Sequence, residues 1–365
     1  MPDEPDRTTD VQPDAAPSRG GGPRAAGLAY WGGSVVVLVG LTTWLYGPHV
    51  FDAHWIVNQP NHDWAQAVWF LAWPAYALRH GLDPLFSTWQ NYPSGINLMN
   101  NTSMPLLGIA LAPLTWLAGP VVAYGVALRL GMVTSALAAQ FVARRLGLSR
   151  AASAMAGLLY ACSAMEVVEG NGHVFLTFVA LPPLVLCAAY RGAIGAARPW
   201  RAGLVVGALL AAQALISLEV ALLTVVTLVV GGAVGALVCR RELTAERRRA
   251  LAGLGGVAVA TLGVLLAVPL AVYFGRGHFW GPSHPTLEIY RANLVSILVP
   301  GRLTWVSPFV AHLPTTLAYR RENGAYLGVP LLAVLGFVAV RGWRRPLVRV
   351  AVWTSLVLLV VSLGT

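Results

Sequence analysis

A succession of apolar runs, separated by short gaps that collect arginine, limits this chain more than any other feature. A helix needs roughly 17–25 residues to cross a hydrocarbon layer of about 30 Å. Runs of that order fall at Gly27–Leu45, Val121–Val142, Ala151–Met165, Val174–Tyr190, Ala202–Ser217, Val220–Val238, Leu251–Phe274, Tyr326–Val340 and Val350–Leu363. The stretch from Ala202 to Val238 is too long for one crossing and divides near Ser217–Glu219. Residues 1–26 are rich in Asp, Pro, Gly and Arg and read as a disordered tail. They lack the apolar core that a secretory signal peptide places after a short basic region.

Composition agrees with this pattern. Hydrophobic residues make up 56% of the 365 and charged residues 11%, where a soluble domain carries about 25% charged residues. So little polar surface cannot cover a water-soluble fold, and it also excludes a disordered chain or a disulfide-rich secreted scaffold. The expected fold is all-α: a polytopic transmembrane helical bundle of about nine spans.

The arginines orient it. Every basic residue other than histidine is Arg, and the formal charge is +10. Arg144, Arg145 and Arg150 follow the second run; Arg191, Arg198 and Arg201 follow the fourth. Arg240, Arg241 and Arg247–Arg249 follow the sixth, and Arg341, Arg344, Arg345 and Arg349 follow the eighth. Nine spans with the amino terminus in the cytoplasm put all four clusters on the inner side of the plasma membrane, as the positive-inside rule requires. The same rule accounts for the basic balance without nucleic acid, for which no basic stripe with interleaved aromatics is present. Cys162, Cys187 and Cys239 have no CxxC spacing and read as isolated thiols.

This orientation leaves two long outer loops, residues 48–120 and 275–324. The first holds two moderately apolar stretches, Trp64–Leu78 and Met104–Leu117, around a polar, turn-rich segment from Gly81 to Ser103. Six of the thirteen tryptophans fall in it. Trp prefers the headgroup level, so both stretches are expected as helices lying on or dipping into the outer interface. Two further short spans are the alternative, with Arg79 as the only positive charge between them.

With so few charges, the acidic residues that could do chemistry can be enumerated. Outside the tail and the inner loop with Glu242 and Glu246, they are Asp52, Asp63, Asp83, Glu166, Glu169, Glu219, Glu288 and Glu322. All but Glu219 fall at or near the expected outer face. Asp63 stands where the first outer loop enters its apolar stretch. It reads either as a helix-start carboxylate favoured by the helix dipole or as a general base at the membrane–water boundary. Glu166, Glu169 and His173 share the second outer turn, as a solvated turn or as ligands for phosphate or metal. Carboxylate and imidazole from Asp63, Glu169 and His173 could together hold Mg²⁺ or Mn²⁺. Glu219 interrupts an apolar stretch, and Arg129 in the second run is its most plausible buried partner. The last outer loop carries Arg276, Arg291, Arg302, Arg320 and Arg321, which read as surface charge or as guanidinium forks for phosphate. There is no Walker loop, no GxGxxG motif opening a helix and no HExxH, so no nucleotide cofactor is expected.

One span, then an outer loop with an acidic residue, then interfacial helices: this order resembles the GT-C glycosyltransferases. The segments Asn61-His62-Asp63, Trp69–Pro74, Gln90–Gly95, Met104–Leu107 and Arg321–Gly328, with the Lys-free composition, are similar to uncharacterised actinobacterial members. The resemblance implies transfer of a sugar from a polyprenyl-phosphate donor to a cell-envelope acceptor on the outer face. It implies Asp63 as catalytic base or metal ligand, and Glu169, His173 and Glu322 lining the site. Arg291, Arg302, Arg320 and Arg321 would take the donor's phosphate, and a divalent metal is optional in that family. The paired-acid DxD arrangement is absent. The chain ends at Ser362-Leu363-Gly364-Thr365, short for such enzymes, which implies a truncated form. A transporter or flippase of lipid-linked precursors, with its path through Arg129 and Glu219, and a non-catalytic scaffold are the other classes.

Overall fold

Prolines, short caps and glycines decide where the apolar runs become helices. The computed structural model describes residues 23–52, 54, 63–100, 103–170, 172–276, 294–299 and 326–363. Fourteen helices carry almost all of the regular structure: α1 (Pro23–Tyr46), α2 (Asp63–His80), α3 (Pro105–Ala110), α4 (Ala112–Ala118), α5 (Pro120–Arg145), α6 (Arg150–Ala161) and α7 (Ala164–Glu169), then α8 (Leu181–Ala193), α9 (Pro199–Ala214), α10 (Leu218–Val238), α11 (Ala245–Leu265), α12 (Ala267–Gly275), α13 (Val329–Gly342) and α14 (Pro346–Ser362). Proline stands in the first turn of α3, α4, α5, α8, α9, α13 and α14, where its missing N–H has no intrahelical partner to lose. Ser149, Ser163, Ser217 and Thr244 cap α6, α7, α10 and α11 with their hydroxyls.

Four helices among the described residues are long and apolar enough to cross a membrane: α1, α5, α10 and α11. The other expected spans correspond to α6, α8, α9, α13 and α14, which run from 12 to 17 residues. The division of Ala202–Val238 falls where expected, between Ala214 and Leu218, with Ser217 as the cap. Other boundaries differ from the expectation for definite reasons. α1 begins at Pro23, inside the segment assigned to the tail. The run expected over Val174–Tyr190 turns helical only at Leu181, because Pro182 and Pro183 fit a first turn and not a helix interior. The run to Phe274 breaks at Leu266, between α11 and α12, where the Pro269 ring would collide with the carbonyl of Leu265 in a continuous helix. Met104–Leu117 likewise divides at Leu111 into α3 and α4.

The turn-rich segment expected in the first outer loop is also more ordered than its sequence announced. Strands β1 (Phe86–Ser87) and β2 (Ile96–Asn97) form a short antiparallel hairpin. Asn97 Nδ2 donates to the carbonyls of Val272 and Tyr273 at 2.9 and 3.2 Å and of Arg276 at 3.3 Å, satisfying the end of α12. Arg276 pairs with Asp83 at 2.9 Å and lies over the Phe86 ring.

α2 is a core helix and not one with a free apolar face. Ala67, Phe70, Leu71, Trp73 and Ala77 pack with Ala123, Tyr124, Ala127 and Leu128 of α5 and with Val174–Leu176, Ile216 and Val220. Only the first turns of α5 enter this cluster. Its later residues Met132, Val133 and Ala136 pack instead with Leu38 and Tyr46 of α1 and Ala161 of α6. α2 therefore crosses α5 near its start instead of running along it. A third cluster joins α8, α9 and α11 through Val185, Val206, Leu210 and Ala258.

Candidate functional site

The site is assembled where three helix ends meet. α2 opens with Asp63 in its first turn. α7, a short helix set off by the Ser163 cap, ends at Glu169, and the backbone N–H of His173 bonds back to the Glu169 carbonyl at 2.9 Å. That turn stacks the His173 side chain over Glu169, four residues earlier. Val174, Phe175 and Leu176 then plunge into the core cluster with α2 and α5, which fixes His173 from behind.

The imidazole lies between two carboxylates. His173 Nδ1 is 2.6 Å from Glu169 Oε2, and Nε2 is 3.1 Å from Asp63 Oδ2. Glu169 is buried, with 8% of its side chain exposed, while Asp63 keeps 46% open to the surroundings. The hydrogen bond to Glu169 holds the imidazole above its usual value; burial pulls the other way, and the Glu169 charge with the Asp63 hydrogen bond and charge push it up further. In the cationic form both ring nitrogens donate, one to each carboxylate. A buried acid thereby orients an imidazole, which orients a more exposed acid.

Two more acids adjoin this triad. Glu166 is buried on α7, and burial, with the neighbouring Glu169 charge, pushes its carboxyl up to about 9. At neutral pH it is uncharged. Among the described residues its Oε2 has no hydrogen-bond partner, and neither has Tyr46 Oη nearby. The turn after α7 needs a glycine: a Cβ on Gly170 would collide with the Tyr46 hydroxyl. Glu219, in the first turn of α10, lies within electrostatic range of Glu169 and His173.

Asp63, Glu169 and His173, three residues singled out from sequence, thus come together. The expected Arg129–Glu219 pair does not form. Arg129 donates to the carbonyls of Gly125, Tyr46 and Gly47, satisfying the end of α1, while Glu219 sits in the first turn of α10 beside the triad. Its place follows from the division of the apolar stretch near Ser217–Glu219. Tyr46 gave no signal in the sequence. Arg291, Arg302, Arg320, Arg321 and Glu322 lie outside the described residues. As for metal, no group of three or more His, Cys, Asp and Glu side chains among the described residues is arranged to hold an ion. The geometry explains this: both nitrogens of His173 face carboxylates, so the ring turns no lone pair toward an open position.

A family model, "Domain of unknown function (DUF6311)", matches residues 35–365. No curated protein and no solved structure matches the chain.

Proposed function

We propose that this chain, which belongs to the DUF6311 family, is a plasma-membrane glycosyltransferase of GT-C type. It spans the bilayer about nine times with its amino terminus in the cytoplasm. It transfers a sugar from a polyprenyl-phosphate donor to a cell-envelope hydroxyl on the outer face. The observation that carries this reading is the Glu169–His173–Asp63 relay, whose outermost acid is half-exposed while its innermost is buried. A base must be reachable by the proton it takes and must be held in place by groups that are not.

In this reading Asp63 accepts the proton of the acceptor hydroxyl as its oxygen bonds to the anomeric carbon. The bond from that carbon to the phosphate oxygen breaks, and polyprenyl phosphate leaves with the electron pair. One displacement without a covalent intermediate inverts the anomeric centre. His173 holds the Asp63 carboxylate in line, and Glu169 keeps the imidazole cationic. Glu322, with Arg291, Arg302, Arg320 and Arg321, lines the donor side, where guanidinium forks suit the phosphate.

Replacement of Asp63 by Asn tests the reading. Asn keeps the size and a helix-start hydrogen-bonding role. Transfer from a panel of polyprenyl-phosphate-linked hexoses and pentoses in isolated membranes should fall by about 10²-fold or more, with abundance and melting unchanged. Unchanged transfer would remove Asp63 from the chemistry.

A further inference from the structure

At the opposite end of α5 from Asp63, a cavity of about 370 Å³ opens between α5, α8 and α9. Its walls are apolar: Phe141, Leu184, Cys187, Val205 and Leu209 among others. Its lining also includes Arg145, Arg191 and Arg201, each from a different helix. We propose that this cavity is a binding site for an anionic phospholipid of the inner leaflet, with the phosphodiester held by the three arginines and an acyl chain lying along the apolar wall.

The positive-inside rule explains why arginines collect at this end but not why three helices each bring one to the same cavity. Three neighbouring arginines are engaged elsewhere: Arg144 with the Leu148 carbonyl, Arg247 with the Ala193 carbonyl and Glu242, Arg150 with the Tyr30 ring. Among the described residues, none of the three cavity arginines meets a carboxylate. Arg145 and Arg201 are braced against the rings of Phe141 and Trp200, at 4.9 and 5.2 Å from the ring centres. Arg191 makes one long contact, 3.4 Å to the Ala196 carbonyl. That leaves most guanidinium donors unused. A phosphate offers the acceptors that such a planar fork matches, and basic recesses between membrane helices on the cytoplasmic side suit lipid headgroups. Ring stacking pre-sets two of the side chains, which lowers the ordering cost of binding. The site is independent of the transfer reaction.

The test uses the full chain in nanodiscs containing phosphatidylglycerol and phosphatidylcholine, with retained lipid counted by native mass spectrometry. Wild-type protein should retain phosphatidylglycerol preferentially. Each guanidinium removed should weaken that preference about fivefold, so R145Q/R191Q/R201Q should lose on the order of a hundredfold. The variant R240Q/R241Q/R249Q, with the same change of charge elsewhere on the inner face, should keep it. Equal loss in the two variants would mean diffuse surface attraction and would overturn the proposal. So would undiminished retention in R145Q/R191Q/R201Q, or full displacement of the lipid by millimolar inorganic phosphate. If the triple variant fails to fold, R191Q alone supplies the measurement, with a fivefold loss expected and no loss overturning the site.

Discussion

α5 and α11 are both long and apolar enough to cross a membrane, yet they are used differently. α5 buries 14 of its 26 residues, enclosed by α1, α2, α6 and α8. α11 buries Ala258 alone of its 21. Its tight contacts are with α8, where a Cβ on Gly192 would collide with the Leu254 side chain, and above all with α9, where Cβ atoms on Gly203 and Gly207 would collide with the Leu254 and Ala258 carbonyls. Apolar character therefore says that a helix avoids water, not what it meets instead. Around α5 the answer is protein, and the packed part of the molecule is the part that holds the triad. Around α11, α13 and α14 most side chains stay open, which in a membrane is surface for lipid.

The contrast can be broken by substitution. The largest effect is expected at Gly157, where a Cβ would stand 2.5 Å from the Ala136 carbonyl of α5. Gly157→Leu should force α6 off α5 and destabilise by about 3 kcal/mol. Gly253→Leu on α11, with nothing within 4 Å of its Cβ, should stay within about 0.5 kcal/mol. Thermal unfolding in detergent, followed by size-exclusion recovery, distinguishes them; similar losses would erase the difference between the two regions. Next comes Arg129→Met, which strips the carbonyls at the end of α1 of their donor and should cost about 2 kcal/mol, read in the same assay.

A third prediction concerns pH. Glu166 keeps its proton up to about 9 in the folded protein, against an ordinary value of 4.5. Between those values the folded state binds more protons than the unfolded one, so stability falls as pH rises through that window. His173 acts in the same direction: its raised folded value makes a contribution present below the ordinary imidazole range and lost as pH climbs through the folded value. Glu166→Gln should flatten the decline in melting temperature between pH 5 and pH 9, whereas a variant as steep as wild type would place the titration elsewhere. The smallest effect is expected at Phe337→Ala on α13, an exposed side chain, with a change below about 0.5 kcal/mol in detergent. A large loss there would mean that α13 packs against protein.

What the sequence made legible divides along the same line. Apolar runs located the helices, and the excess length of Ala202–Val238 marked the α9–α10 junction near Ser217–Glu219. Scarcity of charge narrowed the site to a few acids, of which Asp63 and Glu169 meet through His173. Partner choice was not legible. Arg129 in an apolar run looked like half of an ion pair, but helix-end carbonyls satisfy a guanidinium as well as a carboxylate can. Nor could the hairpin at residues 86–97 be read, because two-residue strands carry no periodicity.

That hairpin sets a timetable. Asn97 finds its partners at Val272, Tyr273 and Arg276, so the segment around it has to wait until the end of α12 has been synthesised. At ribosomal speeds of about 5–20 residues per second, the delay is on the order of ten to forty seconds. Throughout that interval the hairpin is without its clasp, and this is when a chaperone or a protease would meet it.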